Sequence, residues 1–216
     1  MGLNTHGWPT ALPLVAILRG ITPPEVLAHV QAIADAGFDA IEVPLNSPDW
    51  AQSLRALVAL QWQAPEPHLL VGAGTVLSAA DVDAVVATGA RLVVTPNTNP
   101  GLIRHAVAQG LYVVAGFATA SEAYAALDAG AQALKLFPAT TYGPGHVKAL
   151  RAVLPPVPML AVGGITPGNL GDYVRAGCSG AGLGSDLYRP GQDVARSAAQ
   201  ARAFVDAWRA LSPDPA

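Results

Sequence analysis

One lysine stands where lysines are rare. In AQALKLFP, residues 131–138, Lys135 lies inside a short apolar run that follows the helix-stopping Gly130. Side chains alternate faces along a strand, so Ala133, Lys135 and Phe137 share one face and Leu134 and Leu136 the other. Desolvation in such surroundings disfavours the charged amine and lowers its pKa. A neutral amine in a closed pocket is the nucleophile that Schiff-base chemistry requires. A structural lysine neutralised by a buried carboxylate, or a strand end that reaches water, fits this stretch equally well. The carboxylate that would decide between them is Glu42, in AIEVPLNSP, on the same strand face as Ala40 and Pro44. Carboxylates are seldom fully buried without a partner. Glu42 and Lys135 therefore read either as an internal ion pair or as an acid/base group beside a nucleophile. Buried ion pairs are poor sources of stability, which favours the second reading.

The elements that must hold these residues form a repeat. DAGFDAIEVP, TGARLVVTP, QGLYVVAG, DAGAQALKLFP and RAGCSGAGLG each end a helix at a glycine (Gly37, Gly89, Gly110, Gly130, Gly177) and open a short strand. Leu14–Leu18, Leu69–Ala73 and Met159–Val162 supply further strands, for a total of eight. Helices are expected at about 23–36, 48–60, 79–88, 100–109, 120–129, 144–153, 167–176 and 192–211. Thr22-Pro23, Ser47-Pro48, Asn99-Pro100 and Thr166-Pro167 each place a capping residue before a first-turn proline. The strands are apolar on both faces, as parallel strands covered by helices should be. Eight strand–helix units of roughly 25 residues predict an α/β protein, a single-domain (β/α)8 TIM barrel spanning 1–216, with short tails at about 1–10 and 212–216. An open doubly wound sheet is the alternative. It usually shows a glycine-rich fingerprint after the first strand, and LRGITPPE is not one.

In a barrel, chemistry gathers at the C-terminal strand ends. Those positions hold Arg19, Glu42, Thr75, Pro96, Phe117, Lys135, Gly163-Gly164 and Gly184-Ser185. Glycines after the last two strands, with their exposed N–H groups and a following helix start, form a candidate phosphate cradle. Arg19, next to strand eight around the barrel, could add positive charge or pair with a surface acid. Near Thr75, Gly72 and Gly74 leave room for a ligand, although close packing at a rim would also want them. His6, His29, His68, His105 and His146 have no metal-ligand spacing, so no metal and no cofactor are expected.

Composition narrows the class further. The 216 residues are 51% hydrophobic and 12% charged, with net charge −3 and scattered basic residues, so neither nucleic acid nor membrane is an expected partner. Cys178 is the single cysteine, which excludes an intramolecular disulfide. MGLNTHGWPT lacks a basic segment followed by an apolar core, so a cytoplasmic location is expected.

LVAILRGITPPE, GFDAIEVPLNSP, VGAGTVL, LVVTPN, ALKLFPAT, AVGGITPGN and GAGLGSDLY occur in order across nearly the whole chain. In combination they resemble the class I aldolases of the 2-keto-3-deoxy-6-phosphogluconate and 6-phosphogalactonate family. The resemblance implies a (β/α)8 barrel, a homotrimer, no metal, a phosphorylated keto-acid substrate, and release of pyruvate and glyceraldehyde 3-phosphate. It gives Lys135 the iminium and Glu42 the acid/base role. Arg19 and Thr75 become contacts near the substrate carboxylate and reacting centre, with Pro96 and Phe137 around the imine. Gly163, Gly164, Gly184 and Ser185 correspond to the phosphate-binding positions. The phosphogluconate enzymes usually carry an arginine four residues after the glutamate; here that place holds Asn46, within Pro44-Leu45-Asn46-Ser47, which resembles the galactonate enzymes. Asn46 is therefore the candidate for selection at C4, with gluconate or dual-epimer activity as the alternative. A sugar-phosphate isomerase or decarboxylase barrel, and a phosphate-binding protein without turnover, are the rivals from other classes.

Overall fold

The computed structural model describes residues 7–61 and 69–211. Strand and helix alternate throughout: β1 (Leu14–Ile17), α1 (Pro23–Asp35), β2 (Ala40–Pro44), α2 (Trp50–Gln61), β3 (Leu70–Gly74), α3 (Ala79–Val86), β4 (Leu92–Val94) and α4 (Pro100–Ala108). Then follow β5 (Tyr112–Phe117), α5 (Ala120–Asp128), β6 (Ala133–Leu136), α6 (Ala139–Arg151), β7 (Met159–Val162), α7 (Leu170–Ala176), β8 (Gly180–Leu183) and α8 (Val194–Arg209). All eight strands are parallel and close in sequence order, β8 pairing with β1, so the fold is a (β/α)8 TIM barrel rather than an open sheet. The helix-stopping glycines work as their places in the repeat suggest. Gly37, Gly89, Gly110, Gly130 and Gly177 have φ of 115°, 83°, 77°, 98° and 119°, a left-handed region that only glycine adopts without cost.

Four helix starts differ from expectation, each for a local reason. α8 begins at Val194 rather than at 192, because Asp193 caps it, its side chain accepting from the Arg196 N–H. α2 begins at Trp50 rather than at Pro48, because the buried Ser47 hydroxyl accepts the Gly20 N–H instead of capping a helix. α7 begins at Leu170 rather than Pro167, after a turn in which Thr166 N–H donates to Asn169 Oδ1 and Asn169 N–H to Thr166 Oγ1. α6 starts directly after β6 and is broken at Gly143 (φ 75°, ψ 170°), so the expected start at Pro144 belongs to its second segment. At α4, Asn99 caps as expected, its side chain accepting from the N–H groups of Gly101 and Leu102.

Alternation along β6 puts Leu134 and Leu136 in the large core between barrel and helices, while Ala133 joins the barrel's interior cluster with Val15, Ile17, Ala40, Leu92, Val94, Val114, Leu160 and Val162. By register, Glu42 lies beside Ile17 and Gly72, and Lys135 beside Gly116 and Leu160, all on the interior face. The interior is thus bulky near the strand starts and lined by glycine toward the strand ends.

The N-terminal mouth is plugged by a segment that the sequence places in a tail. Trp8 is buried within the interior cluster and meets the Tyr112 ring edge-on at 5.7 Å. Its indole N–H donates to Thr10 Oγ1 (2.8 Å), the Thr10 hydroxyl contacts Asp39 Oδ1 (2.7 Å), and the Leu12 N–H donates to Asp39 Oδ2 (3.0 Å). The Tyr112 hydroxyl donates to the Gly7 carbonyl at 2.9 Å. Residues 7–10 of the tail expected at about 1–10 are therefore held on the barrel. Trp8→Ala is expected to lower stability by about 3–5 kcal/mol, read as a shift in the urea midpoint. Leu77→Ala, at a side chain 54% exposed, should change it by less than about 0.5 kcal/mol.

Candidate active site

Lys135 and Glu42 are buried, at 6% and 2% exposure, inside the C-terminal half of the barrel. Among the described residues neither side chain makes a hydrogen bond or an ion pair within 4.0 Å; the ion pairs present, His105–Asp83 and Arg175–Asp172, lie elsewhere. An internal ion pair is therefore not what holds them. Burial pushes the Lys135 amine below the usual lysine range; the Glu42 carboxylate opposes this and the Arg19 guanidinium adds to it. Burial also raises the Glu42 carboxyl, against the pull of Lys135 and Arg19. The Lys135 nitrogen sits 5.0 Å from the centre of the Phe137 ring, which shares its strand face. Glu42 owes its place to the absence of a side chain at Gly74. A Cβ there would fall 1.6 Å from Glu42 Oε1.

Next to the carboxylate runs a polar chain along the rim. Arg19 Nη1 donates to Asn46 Oδ1 at 2.6 Å and approaches Thr75 Oγ1 at 3.5 Å. Thr75 has φ of 58°, which for a β-branched residue is a strained left-handed conformation costing about 1–2 kcal/mol. Strain of this kind concentrates at functional sites. It turns the Thr75 hydroxyl toward the guanidinium.

Arg19, Phe137, Gly163, Gly164, Gly184 and Ser185 line one cavity of about 510 Å³, together with Ile17, Val162, Ile165 and residues of the loop after β8. Gly163 and Gly164 have φ of 99° and 74°. A side chain at Gly164 would meet Thr140 at 2.7 Å, so the loop lies closely against the start of α6. Thr75 and Asn46 join this set through Arg19. Pro96 stands apart from the cavity lining; its backbone packs over Gly116, where a Cβ would approach within 2.3 Å, and Gly116 is the register neighbour of Lys135.

Sequence reasoning does not reveal Gly74 as the space that Glu42 fills, nor Tyr188 and Arg189 on the cavity wall. The signal for Arg189 was a basic residue four places after Ser185, in SDLYRPG, beyond the glycines that drew attention. The thiol of Cys178 is buried and pushed up to about 12 by desolvation, which removes it as a nucleophile at neutral pH. Among the described residues no three His, Cys, Asp or Glu side chains stand together as a metal-holding group; His6 and His68 lie outside those residues.

A closed parallel barrel that holds an amine and a carboxylate, unpaired among the described residues, is a frame suited to Schiff-base chemistry, and the chain belongs to the family described as KDPG and KHG aldolase, which it matches over residues 9–199. Within that family it is similar to the 2-dehydro-3-deoxy-6-phosphogalactonate aldolase of Escherichia coli, with 58% identity over 94% of this chain and 97% of the relative. It is also 45% identical to a probable 2-dehydro-3-deoxy-6-phosphogalactonate aldolase of Rhizobium meliloti, over 94% of each chain. A solved native KDPGal structure superposes with a TM-score of 0.91 at 57% identity, covering 94% of this chain and 98% of the other.

The electrostatics carry a signed expectation. Glu42 is the group that favours the ammonium form of Lys135, so Glu42→Gln should make the amine lose its proton at lower pH. Competitive acetylation of Lys135 followed by mass spectrometry across pH reads the midpoint. An unchanged or higher midpoint in the variant would contradict the coupling.

Proposed function

We propose that the chain is a metal-independent class I aldolase that cleaves 2-dehydro-3-deoxy-6-phosphogalactonate to pyruvate and D-glyceraldehyde 3-phosphate, within galactonate catabolism. The observation that carries this reading is the buried Lys135 amine, held below its usual pKa by desolvation and with no ion-pair partner among the described residues. Similarity to the named galactonate-series relatives supports the choice of substrate.

In the proposed reaction the neutral Lys135 amine adds to the C2 ketone, giving a carbinolamine that loses water to form an iminium. The iminium then accepts the electron pair of the breaking C3–C4 bond. Glu42, directly or through a water, takes the proton of the C4 hydroxyl as that bond breaks, and glyceraldehyde 3-phosphate leaves. The enamine is protonated at C3, and water releases pyruvate and regenerates the amine. In this reading Arg19 and Thr75 receive the substrate carboxylate end, Phe137 and Pro96 wall the imine, and Gly163, Gly164, Gly184 and Ser185 take the phosphate. Asn46 enters this scheme through its carbonyl, which fixes the Arg19 guanidinium at 2.6 Å. A neutral amide that orients an existing arginine is a different device from a second arginine at that position, and it supports the galactonate assignment. A cytoplasmic homotrimer completes the reading. The trimer rests on the resemblance to the aldolase family, and the location on the similarity to bacterial metabolic relatives.

Three outcomes are expected. Lys135→Ala should abolish both cleavage and borohydride trapping of pyruvate on the protein. Glu42→Gln should slow turnover by about 10²–10⁴-fold while trapping persists. Pyruvate release from the two C4-epimeric substrates, coupled to lactate dehydrogenase, should favour the galactonate epimer. A barrel isomerase or decarboxylase would trap nothing, and near-normal cleavage by Lys135→Ala would sink the mechanism.

A further inference from the structure

The loop after β8 does more than pass a glycine to the phosphate cradle. The N–H groups of Leu187 and Tyr188 both donate to the Gly184 carbonyl at 2.9 Å, which turns the chain back on itself. The Arg189 N–H donates to Gln192 Oε1 (3.1 Å), and Gln192 Nε2 donates to the Leu187 carbonyl (2.9 Å), so the turn is braced from its far side. Pro190 lies against Gly20, where a Cβ would come within 2.7 Å of the proline ring. The result returns the Arg189 side chain to the cavity: its Nε donates to the Ser185 carbonyl at 2.8 Å, and the residue lines the cavity alongside Gly163, Gly164 and Gly184.

That bond uses one edge of the guanidinium and leaves the other. Among the described residues neither Nη nitrogen of Arg189 has a partner, and no carboxylate lies within 4.0 Å of it. The free edge of a guanidinium is a pair of parallel donors that matches two phosphate oxygens. The glycine loops offer neutral N–H donors only, whereas a phosphomonoester carries about −1.5 to −2 charge at pH 7. Arg19, the other guanidinium lining this cavity, has its Nη1 engaged by Asn46 at 2.6 Å and lies 3.5 Å from Thr75. Asp186 lines the same cavity and opposes an anion, so compensating positive charge is needed there, and Arg189 carries it on the same loop as Gly184 and Ser185.

We propose that Arg189 is a phosphate-anchoring residue, whose Nη edge grips the substrate 6-phosphate while its Nε edge is held by the Ser185 carbonyl. The division of labour is then one arginine per anionic end of the substrate, Arg19 for the carboxylate and Arg189 for the phosphate. This rests on the aldolase reading for the substrate but not for the anion site itself.

The test compares the full chain with Arg189→Gln and Arg189→Lys on the 6-phosphate substrate and on its 6-hydroxyl counterpart. Arg189→Gln should lower kcat/KM for the phosphorylated substrate by about 10- to 100-fold, chiefly through KM, and change the hydroxyl substrate by less than about twofold. Arg189→Lys should recover part of the loss, since it restores the charge without the fork. Pyruvate trapping by borohydride should be the same in all three proteins. Equal losses on both substrates would make Arg189 a brace of the loop and overturn the proposal, as would an unchanged KM for the phosphorylated one. Calorimetric binding of glycerol 3-phosphate at low salt separates the two readings. If the parent protein traps no pyruvate, the aldolase reading fails, yet a tenfold or greater weakening of glycerol 3-phosphate in Arg189→Gln would still support the anchor. Equal affinity would refute it.

Discussion

The structure depends on keeping an amine and a carboxylate in one desolvated interior without letting them touch. In contact they would satisfy each other, the lysine would stay protonated, and the barrel would hold an ion pair of little use for either chemistry or stability. Separated, each is pushed toward its neutral form by burial and pulled back only partly by the other's charge. Their separation is set by the barrel's register and by missing side chains. Lys135 rises from β6 between Gly116 and Leu160, and Glu42 from β2 beside Gly72, with its carboxylate in the space left at Gly74.

Glycine in this interior is therefore a spatial device. β8 contributes Gly180 and Gly182 to the inner wall. A Cβ at Gly182 would sit 2.8 Å from Val162, and one at Gly180 1.8 Å from the Pro13 carbonyl. β3 contributes Gly72 and Gly74, and β5 contributes Gly116. The half of the barrel near the strand starts is filled by Val15, Leu92, Val114 and Leu160, which anchors the fold. The upper half is hollowed by glycine, so that two long ionisable side chains and a ligand can share it. Stability and chemistry are divided along the barrel axis.

Much of this was legible in the sequence because it is local. A glycine after each of several helices, prolines preceded by capping residues, and strands apolar on both faces dictate the alternation and the parallel closure. Lys135 and Glu42 stood out because a charge inside an apolar strand breaks the pattern that otherwise makes the fold. The less legible features are contacts between distant segments. Asn46 bonds to Arg19 across 27 positions, and Gly74 yields to Glu42 across 32, so neither shows in any window of sequence. Ser47 preceded a proline as a helix cap would, but its hydroxyl serves Gly20. Trp8 read as part of a tail because nothing in its own neighbourhood reveals that it fits the barrel's lower mouth.

That fit closes the barrel's floor with a side chain that its own strands do not supply. With Trp8 and its hydrogen bonds at the floor, the open approach among the described residues is the cavity past Phe137 and the glycine loops, which substrate, products and the water of imine hydrolysis would share on the proposed chemistry. On the proposed chemistry the three-carbon keto acid is bonded at depth, while the phosphorylated aldehyde lies between it and the exit. On that arrangement the aldehyde departs before the enamine is protonated at C3 and water adds to C2 of the resulting iminium, and in the reverse direction pyruvate enters first. The order of addition and release would then follow from the shape of a blind tube, with no moving part needed to impose it.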